Sequence, residues 1–379
     1  MPKPAKFIIS FTLGILAGVI FLLTLYLLPL PANNLLYQTF GIYKPQVVGF
    51  LPFWLLERAD KNYSSFITTL SYFGLALDND GTVVQLENKN EEEPGWHALR
   101  SDSLKNKHPT SLLVRAMDEA TISAIISNPK KHAQNLIKDI VPQMRKYGYK
   151  DLNLDIEGFK ESSPSARDNF TRFVKEIKKG LEEKSPGTTL TIDISPSALI
   201  RPYIIDPVEI GKIVDFVVFM TYDYHHLGSP ITGPVSPLGG SGKVREIDVF
   251  FSLKQVLTVI PAKKLLLGIP LYGYEWETLT SSPSSPTIPG TGQTASSRRI
   301  TKLLSDCKNC QTGIDELGQQ PFIIFPDEKD PTFHQIYYED QNSLRKKVEL
   351  AKKYKLGGLA LWALGYEDDK LLEPLKAFK

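Results

Sequence analysis

Cysteine is nearly absent from this chain: 379 residues include two, Cys307 and Cys310. A zinc site needs four ligands, and neither a second Cys pair nor a neighbouring His cluster accompanies this one. A thioredoxin-like motif would open a helix after a strand, whereas this pair sits in a loop-rich stretch. A local disulfide and a pair of free thiols are the two readings left. Excess charge of one sign is also missing. Lys and Arg number 44 against 42 Asp and Glu, a net charge of +2 with no basic runs, which argues against nucleic acid as a partner. The six histidines are scattered and no His-Glu-x-x-His occurs, so the sequence calls for no metal. No Gly-x-Gly-x-x-Gly follows an early strand, which removes the dinucleotide-binding open sheet. No repeat of about 20–50 residues marks a solenoid or propeller.

What is present begins with one long apolar run. Phe7 to Leu28 carries no charge and would span about 33 Å as a helix, enough for a bilayer core. Lys3 and Lys6 precede it, and no basic residue follows until Lys44. The positive-inside rule then predicts a single-pass membrane anchor over 1–30 with its amino terminus inside, a tether over 31–45 and an extracytoplasmic domain over 46–379. Leu30-Pro31-Ala32 is a poor signal-peptidase site; if the segment is cleaved, the product is secreted.

The stretch that organises the remainder is Lys150-Asp-Leu-Asn-Leu-Asp-Ile-Glu157. Its period-two alternation predicts a β-strand with Asp151, Asn153, Asp155 and Glu157 on one face. Two residues of strand rise about 6.7 Å, so Asp155 and Glu157 stand side by side. Like charges that close raise the pKa of one carboxyl, which keeps an acid protonated near neutral pH. An acidic strand edge facing solvent and a calcium site are the plainer readings of the same residues.

Core strands are predicted near residues 47, 70, 111, 152, 189, 216, 265 and 358, with amphipathic helices between them. Asn79-Asp-Gly81 and Thr82 to Leu86 add a hairpin. Alternating strands and helices imply parallel pairing with right-handed crossovers. Eight such units predict an α/β fold, a TIM (β/α)8 barrel. Residues 275–337 form a small α+β insertion lobe between strands 7 and 8, entered through a linker-like segment from Thr278 to Gly292. Barrels keep their sites at the carboxy-terminal strand ends, which here present Trp54, Asp155, Glu157, Ser195, Met220 to Tyr224, Tyr272 to Tyr274 and Trp362. Carboxylates among exposed aromatics suit carbohydrate, whose rings stack on aromatic faces while its hydroxyls seek carboxylates. Taken alone, Trp362 and Tyr222 read more readily as core residues, and His225 and His226 as loop residues.

Four ordered segments then resemble glycoside hydrolase family 18, the chitinase-like barrels. The 150–157 strand is similar to the family's Asp-x-x-Asp-x-Asp-x-Glu signature. Met220-Thr-Tyr-Asp223 resembles its Met-x-Tyr-Asp segment, Gly268-Ile-Pro-Leu-Tyr-Gly273 its seventh strand, and Leu361-Trp-Ala363 its last. Asn153, the short lobe and Tyr337 to Leu344 resemble the bacterial branch related to spore-germination glucosaminidases. The resemblance implies a β-N-acetylglucosaminidase acting on an N-acetylglucosamine-containing polysaccharide, chitin-like or peptidoglycan, without a cofactor. Both carboxyls come from one strand, so they do not flank one anomeric carbon; in this family the substrate's own 2-acetamido oxygen attacks. By resemblance Glu157 is the general acid/base, Asp155 orients the acetamido group, and Tyr222 hydrogen-bonds its carbonyl. Asp223 helps hold the distorted sugar, Trp362 floors the pocket, and Tyr272 and Trp54 join the substrate-binding set. Matched backward from Glu157, the family's middle Asp is Asn153 and its first is Lys150. Asn153 is expected to support Asp155 by a hydrogen bond, and Asp151 and Lys150 to be replaceable. A catalytically silent glycan-binding protein on the same fold is the rival reading.

Overall fold

The computed structural model describes residues 45–59, 61–85, 94–368 and 370–378. The predicted membrane anchor and nearly all of the tether lie outside these residues. Among the described residues no helix is long and apolar enough to cross a membrane. Pro45–Lys379 forms one compact unit.

Eight parallel strands close a barrel: β1 Gln46–Pro52, β2 Thr69–Leu77, β4 Thr110–Ala116, β5 Asp151–Ile156, β6 Thr189–Ile194, β7 Phe216–Phe219, β8 Leu265–Pro270 and β14 Gly358–Trp362. Closure comes from β1, which pairs with β14 on one side and β2 on the other. The expected hairpin is present, with β3 Val83–Gln85 antiparallel to the end of β2. Strand alternation sorts the side chains as the pattern requires. In β5, Leu152, Leu154 and Ile156 point outward into the helix-covered core, where each is fully buried. Their neighbours turn inward, above a lumen plug that includes Val48, Phe50, Phe73, Leu113, Val218 and Leu266.

The helix that delivers the chain to β5 shows how local chemistry sets the register. Pro129–Tyr147 begins after Asn128, whose side chain accepts from the Lys131 N–H, and it has Pro in its first turn. Leu136, Ile137, Ile140, Val141 and Met144 form its buried stripe. Gly148 ends it at φ +78°, a left-handed conformation that glycine adopts without a Cβ clash. Three residues later, at Asp151, β5 starts, so the polar face of the strand meets the lumen.

After β8 the chain leaves the barrel for the lobe: β9 Tyr272–Thr278, β10 Gln293–Ser296, β11 Gln311–Ile314, β12 Pro321–Pro326 and β13 Phe333–Tyr338, with a helix over Ser297–Asp306. These strands make one sheet in the order β10-β9-β13-β12-β11. The lobe therefore starts at Tyr272 rather than at 275. Three of its strands escaped the sequence pattern because they are short or rich in polar residues. The segment from Thr278 to Gly292 is a tied loop rather than a linker. Ser284 N–H donates to Tyr337 Oη at 3.0 Å, Gln335 Nε2 to the Ser282 carbonyl at 2.7 Å, and Thr287 Oγ1 to the Ser229 carbonyl at 2.7 Å. Cys307 and Cys310 form a disulfide between the lobe helix and β11, so neither is a free thiol.

Candidate active site

A cavity of about 830 Å³ opens at the carboxy-terminal strand ends, and Asp155, Glu157, Asp193, Tyr222, Asp223 and Trp362 are in its wall. Asp155 and Glu157 come from the end of β5, where the Glu157 N–H donates to the Ala116 carbonyl at 2.9 Å and keeps the last turn of chain in strand register with β4. Both carboxyls are starved of water. Burial pushes Asp155 up to about 7, with the Arg115 charge working in the opposite direction. Glu157 is held well above the usual carboxylate range by burial and by the charges of Asp155 and Asp223. Tyr222 lies among the same carboxyls, and burial together with their charge keeps its phenol protonated. This is an array that retains protons at neutral pH, as general acid chemistry requires.

Asp223 follows Tyr222 in a left-handed backbone conformation, φ +59°. Its carboxylate accepts from Tyr272 Oη at 2.5 Å and from Tyr274 Oη at 2.9 Å. Tyr272, expected to touch substrate, stands behind Asp223 at 3 % exposure and fixes it in place. Tyr274, read from the sequence only as one of the strand-end residues, shares that duty. Trp362 closes the floor of the cavity, its ring centroid 5.2 Å from Phe73 and 5.9 Å from Phe50. Trp54 is 45 % exposed and meets Trp362 edge-on at 6.4 Å, a rim position beyond the cavity wall. His226 lies in a loop, as expected, and reaches the cavity wall. His225 also lines the cavity, but its ring bonds the Pro234 carbonyl at 2.8 Å and burial holds its pKa down.

Two expectations for β5 need correction. Asn153 does not bond Asp155: its Nδ2 donates to Asp193 Oδ1 at 2.9 Å. Residues two apart on a strand are separated by the full repeat, whereas a neighbouring strand lies closer, about 4.8 Å away. Asp151, expected to be replaceable, is hydrogen-bonded on both sides. It accepts from Ser111 Oγ at 2.6 Å, Thr189 Oγ1 at 2.5 Å and Thr191 Oγ1 at 2.8 Å, tying β4, β5 and β6 together.

Two residues of the site went unnoticed in the sequence. Arg115 stands opposite Asp155 in the β4–β5 register, its guanidinium 5.4 Å from the Phe73 ring centroid and Nη1 3.5 Å from Met117 Sδ. Asp193 interrupts an otherwise uncharged strand, Thr189-Leu-Thr-Ile-Asp-Ile194, and that lone inward carboxyl was the available signal. Among the described residues, no group of three or more His, Cys, Asp or Glu is arranged to hold a metal ion.

The comparisons with known proteins agree with this geometry. A cortical fragment-lytic enzyme of Bacillus subtilis is 29 % identical over 82 % of this chain and 67 % of its own length. The spore cortex-lytic enzyme SleL of Bacillus megaterium has the same fold, with a TM-score of 0.72 at 24 % identity over 89 % of this chain and 75 % of that one. A Group IV chitinase of Ostrinia furnacalis, solved in complex with allosamidin, superposes with a TM-score of 0.76 at 21 % identity over 88 % and 97 % of the two chains. The family model for glycosyl hydrolases family 18 matches residues 46–367. With its barrel, its paired strand-end carboxyls and that match over most of its length, the chain belongs to glycosyl hydrolases family 18 and is a glycoside hydrolase.

Proposed function

We propose that the protein hydrolyses β-linked N-acetylglucosamine glycans of the chitin or peptidoglycan type, with retention of configuration and with the substrate's acetamido oxygen as nucleophile. The observation that carries this reading is the placement of Glu157 beside Asp155 at the end of one strand, both in the wall of one cavity, with burial and neighbouring carboxyl charges favouring the protonated form of Glu157. Two carboxyls on one side of a sugar do not serve as acid and nucleophile for opposite faces of one carbon, so the nucleophile comes from the substrate. Glu157 donates its proton to the leaving glycosidic oxygen as that bond breaks. The acetamido oxygen then closes on the anomeric carbon from the other face. Asp155 turns its carboxylate towards the acetamido nitrogen as positive charge develops there. Tyr222 Oη donates to the acetamido oxygen and orients it for attack. Glu157, now ionised, takes a proton from water, which opens the cyclic intermediate and leaves the β-anomer. Asp223, held by Tyr272 and Tyr274, fixes the sugar, and Trp362 carries its apolar face.

The kinship with cortical fragment-lytic enzymes favours a bacterial cell-wall glycan over chitin. On this reading Phe7 to Leu28 anchors the barrel on the outer face of the membrane, supported by the length of the run and the placement of Lys3 and Lys6. Protease accessibility of the barrel on intact cells tests the anchor. Turnover of chitobiose-type chromogenic substrates and of labelled peptidoglycan by the full chain tests the activity, with NMR of the first-formed anomer. Glu157→Gln is expected to abolish hydrolysis; a fully active variant, or an α-anomeric first product, ends the proposal.

A further inference from the structure

Asp193 is a buried carboxyl in the cavity wall to which the steps above give no task. It is 5 % exposed and projects from β6 beside the end of β5. Leu154 pairs with Ile192 in the parallel β5–β6 ladder, so the next residue on each strand brings Asp155 and Asp193 side by side. Strand spacing makes them neighbours at about 4.8 Å between backbones. One oxygen of Asp193 accepts from Asn153 Nδ2, which turns the group into the lumen. Asp155 Oδ1 is buried and has no hydrogen-bond partner among the described residues, and Asn153 Oδ1 is in the same condition. Two carboxyl groups facing one another away from water need a proton between them.

The family signature has an acid at the position of Asn153, two residues before Asp155. Here that position is an amide, and the amide points at the carboxyl on the next strand. We propose that Asp193 is the displaced second acid: a positioning residue that shares one proton with Asp155 across the β5–β6 pair, in place of the same-strand acid that Asn153 lacks. The inference rests on the substrate-assisted reading above.

The location of the proton follows from what surrounds the pair. Arg115 faces Asp155 from β4, on the side away from Asp193, and favours the ionised form of Asp155. Asp151 and Glu157 flank the pair from β5, and Tyr222 and Asp223 from the segment after β7. Burial, with the Asp155 charge next, holds Asp193 well above the usual range, while the Asn153 amide works the other way. The proton therefore rests on Asp193 and is donated as a hydrogen bond to Asp155. When the acetamido nitrogen gains positive character, Asp155 is already the anion. No proton leaves the pair during the step.

The test begins with Glu157→Gln in the full chain. If the wild-type protein turns over to a β-anomeric first product and this variant does not turn over, the substrate-assisted reading stands and Asp193 is tested separately. Asp193→Ala is expected to lower kcat about tenfold or more, with KM changed less than about threefold. Losing a donor to its anion raises the Asp155 pKa, so the acid limb of the kcat/KM profile moves to higher pH. The exchange variant Asn153→Asp with Asp193→Ala is expected to recover most of kcat and to return the limb, because the donor is restored on the same strand. Infrared difference spectra of the Glu157→Gln protein supply a readout independent of turnover. There, adding the isosteric Asp193→Asn should remove one protonated-carboxyl band. The proposal is overturned by a folded Asp193→Ala protein with wild-type kcat and limb, by a folded exchange variant as slow as Asp193→Ala, or by an unchanged infrared band.

Discussion

Glu157 at the barrel mouth and Glu275 in the lobe are the same residue type in two buried settings, and they titrate in opposite directions. The Glu275 side chain is fully buried, yet Arg299 donates to both its oxygens, at 2.8 and 2.7 Å, and His334 Nδ1 lies 3.0 Å from Oε1. Those cations hold Glu275 below the usual range despite burial. The pairing is mutual, since Glu275 and Asp327 push His334 up to about 9. Among the described residues no ion pair reaches Glu157, and the charges that act on it are the carboxyls of Asp155 and Asp223. Burial raises a carboxyl in both places; the partner decides the final sign. Glu339 marks the boundary between these cases. It pairs with fully buried Lys347 and is still pushed up, because one ammonium does not offset complete desolvation. A bidentate guanidinium plus an imidazolium holds Glu275 ionised, and without an ion-pair partner among the described residues Glu157 stays raised.

The strongest way to break this contrast is to neutralise each glutamate in turn. Glu157→Gln should cost about a thousandfold or more in kcat. It should leave the melting temperature equal or higher, because an unpaired buried acid has been removed. Glu275→Gln should do the reverse, lowering stability by about 2–3 kcal/mol while kcat stays within about twofold, as read by denaturant melts and turnover. If Glu275→Gln lost activity as Glu157→Gln does, the division between structural and reactive acid would fail.

Next in size is the hydroxyl pair behind Asp223. Tyr272→Phe should lower kcat about tenfold with a smaller change in KM, by freeing the Asp223 carboxylate that we propose holds the sugar. The pH dependence of stability sharpens the same point. Asp155 has a folded pKa raised from 3.8 to about 7, so its contribution is complete below 3.8 and is lost as pH rises through about 7. Asp155→Asn should therefore flatten the decline in melting temperature across that window. Glu275, held low, contributes above its unfolded value and loses that contribution as pH falls through its folded one, so Glu275→Gln should weaken acid sensitivity. The smallest effect is expected at Arg115. Arg115→Gln removes the charge opposing burial at Asp155 and should move the acid limb of kcat/KM up by about half a pH unit, with Arg115→Lys close to wild type.

Much of the architecture was legible because it follows from period and punctuation. Most of the eight strands are largely apolar runs, β5 is marked instead by its strict alternation, and the helix before β5 announces itself by Pro129, a stripe of apolar residues and Gly148. The lobe was less so. β9 through Tyr272-Gly-Tyr-Glu-Trp reads as a continuation of the motif around β8, and Gln293–Ser296 and Gln311–Ile314 carry too little apolar pattern to mark a strand. Within the site, Asp155, Glu157, Tyr222, Asp223 and Trp362 converge as their motifs imply. Arg115 and Asp193 did not stand out, since their importance comes from the strands on either side of β5, tens of residues away in the chain.

Alternation along β5 is a local property, and it was enough to place Asp151, Asn153, Asp155 and Glu157 on one face in a known order. Which groups those side chains meet is a property of strand pairing, set by closure of the barrel and its register. That pairing gives Asp151 three hydroxyl donors, sends the Asn153 amide to Asp193, and puts Arg115 opposite Asp155. The ionisation of a buried carboxyl depends on groups within a few ångströms whatever their distance along the chain, so the chemistry of this strand was settled by its neighbours.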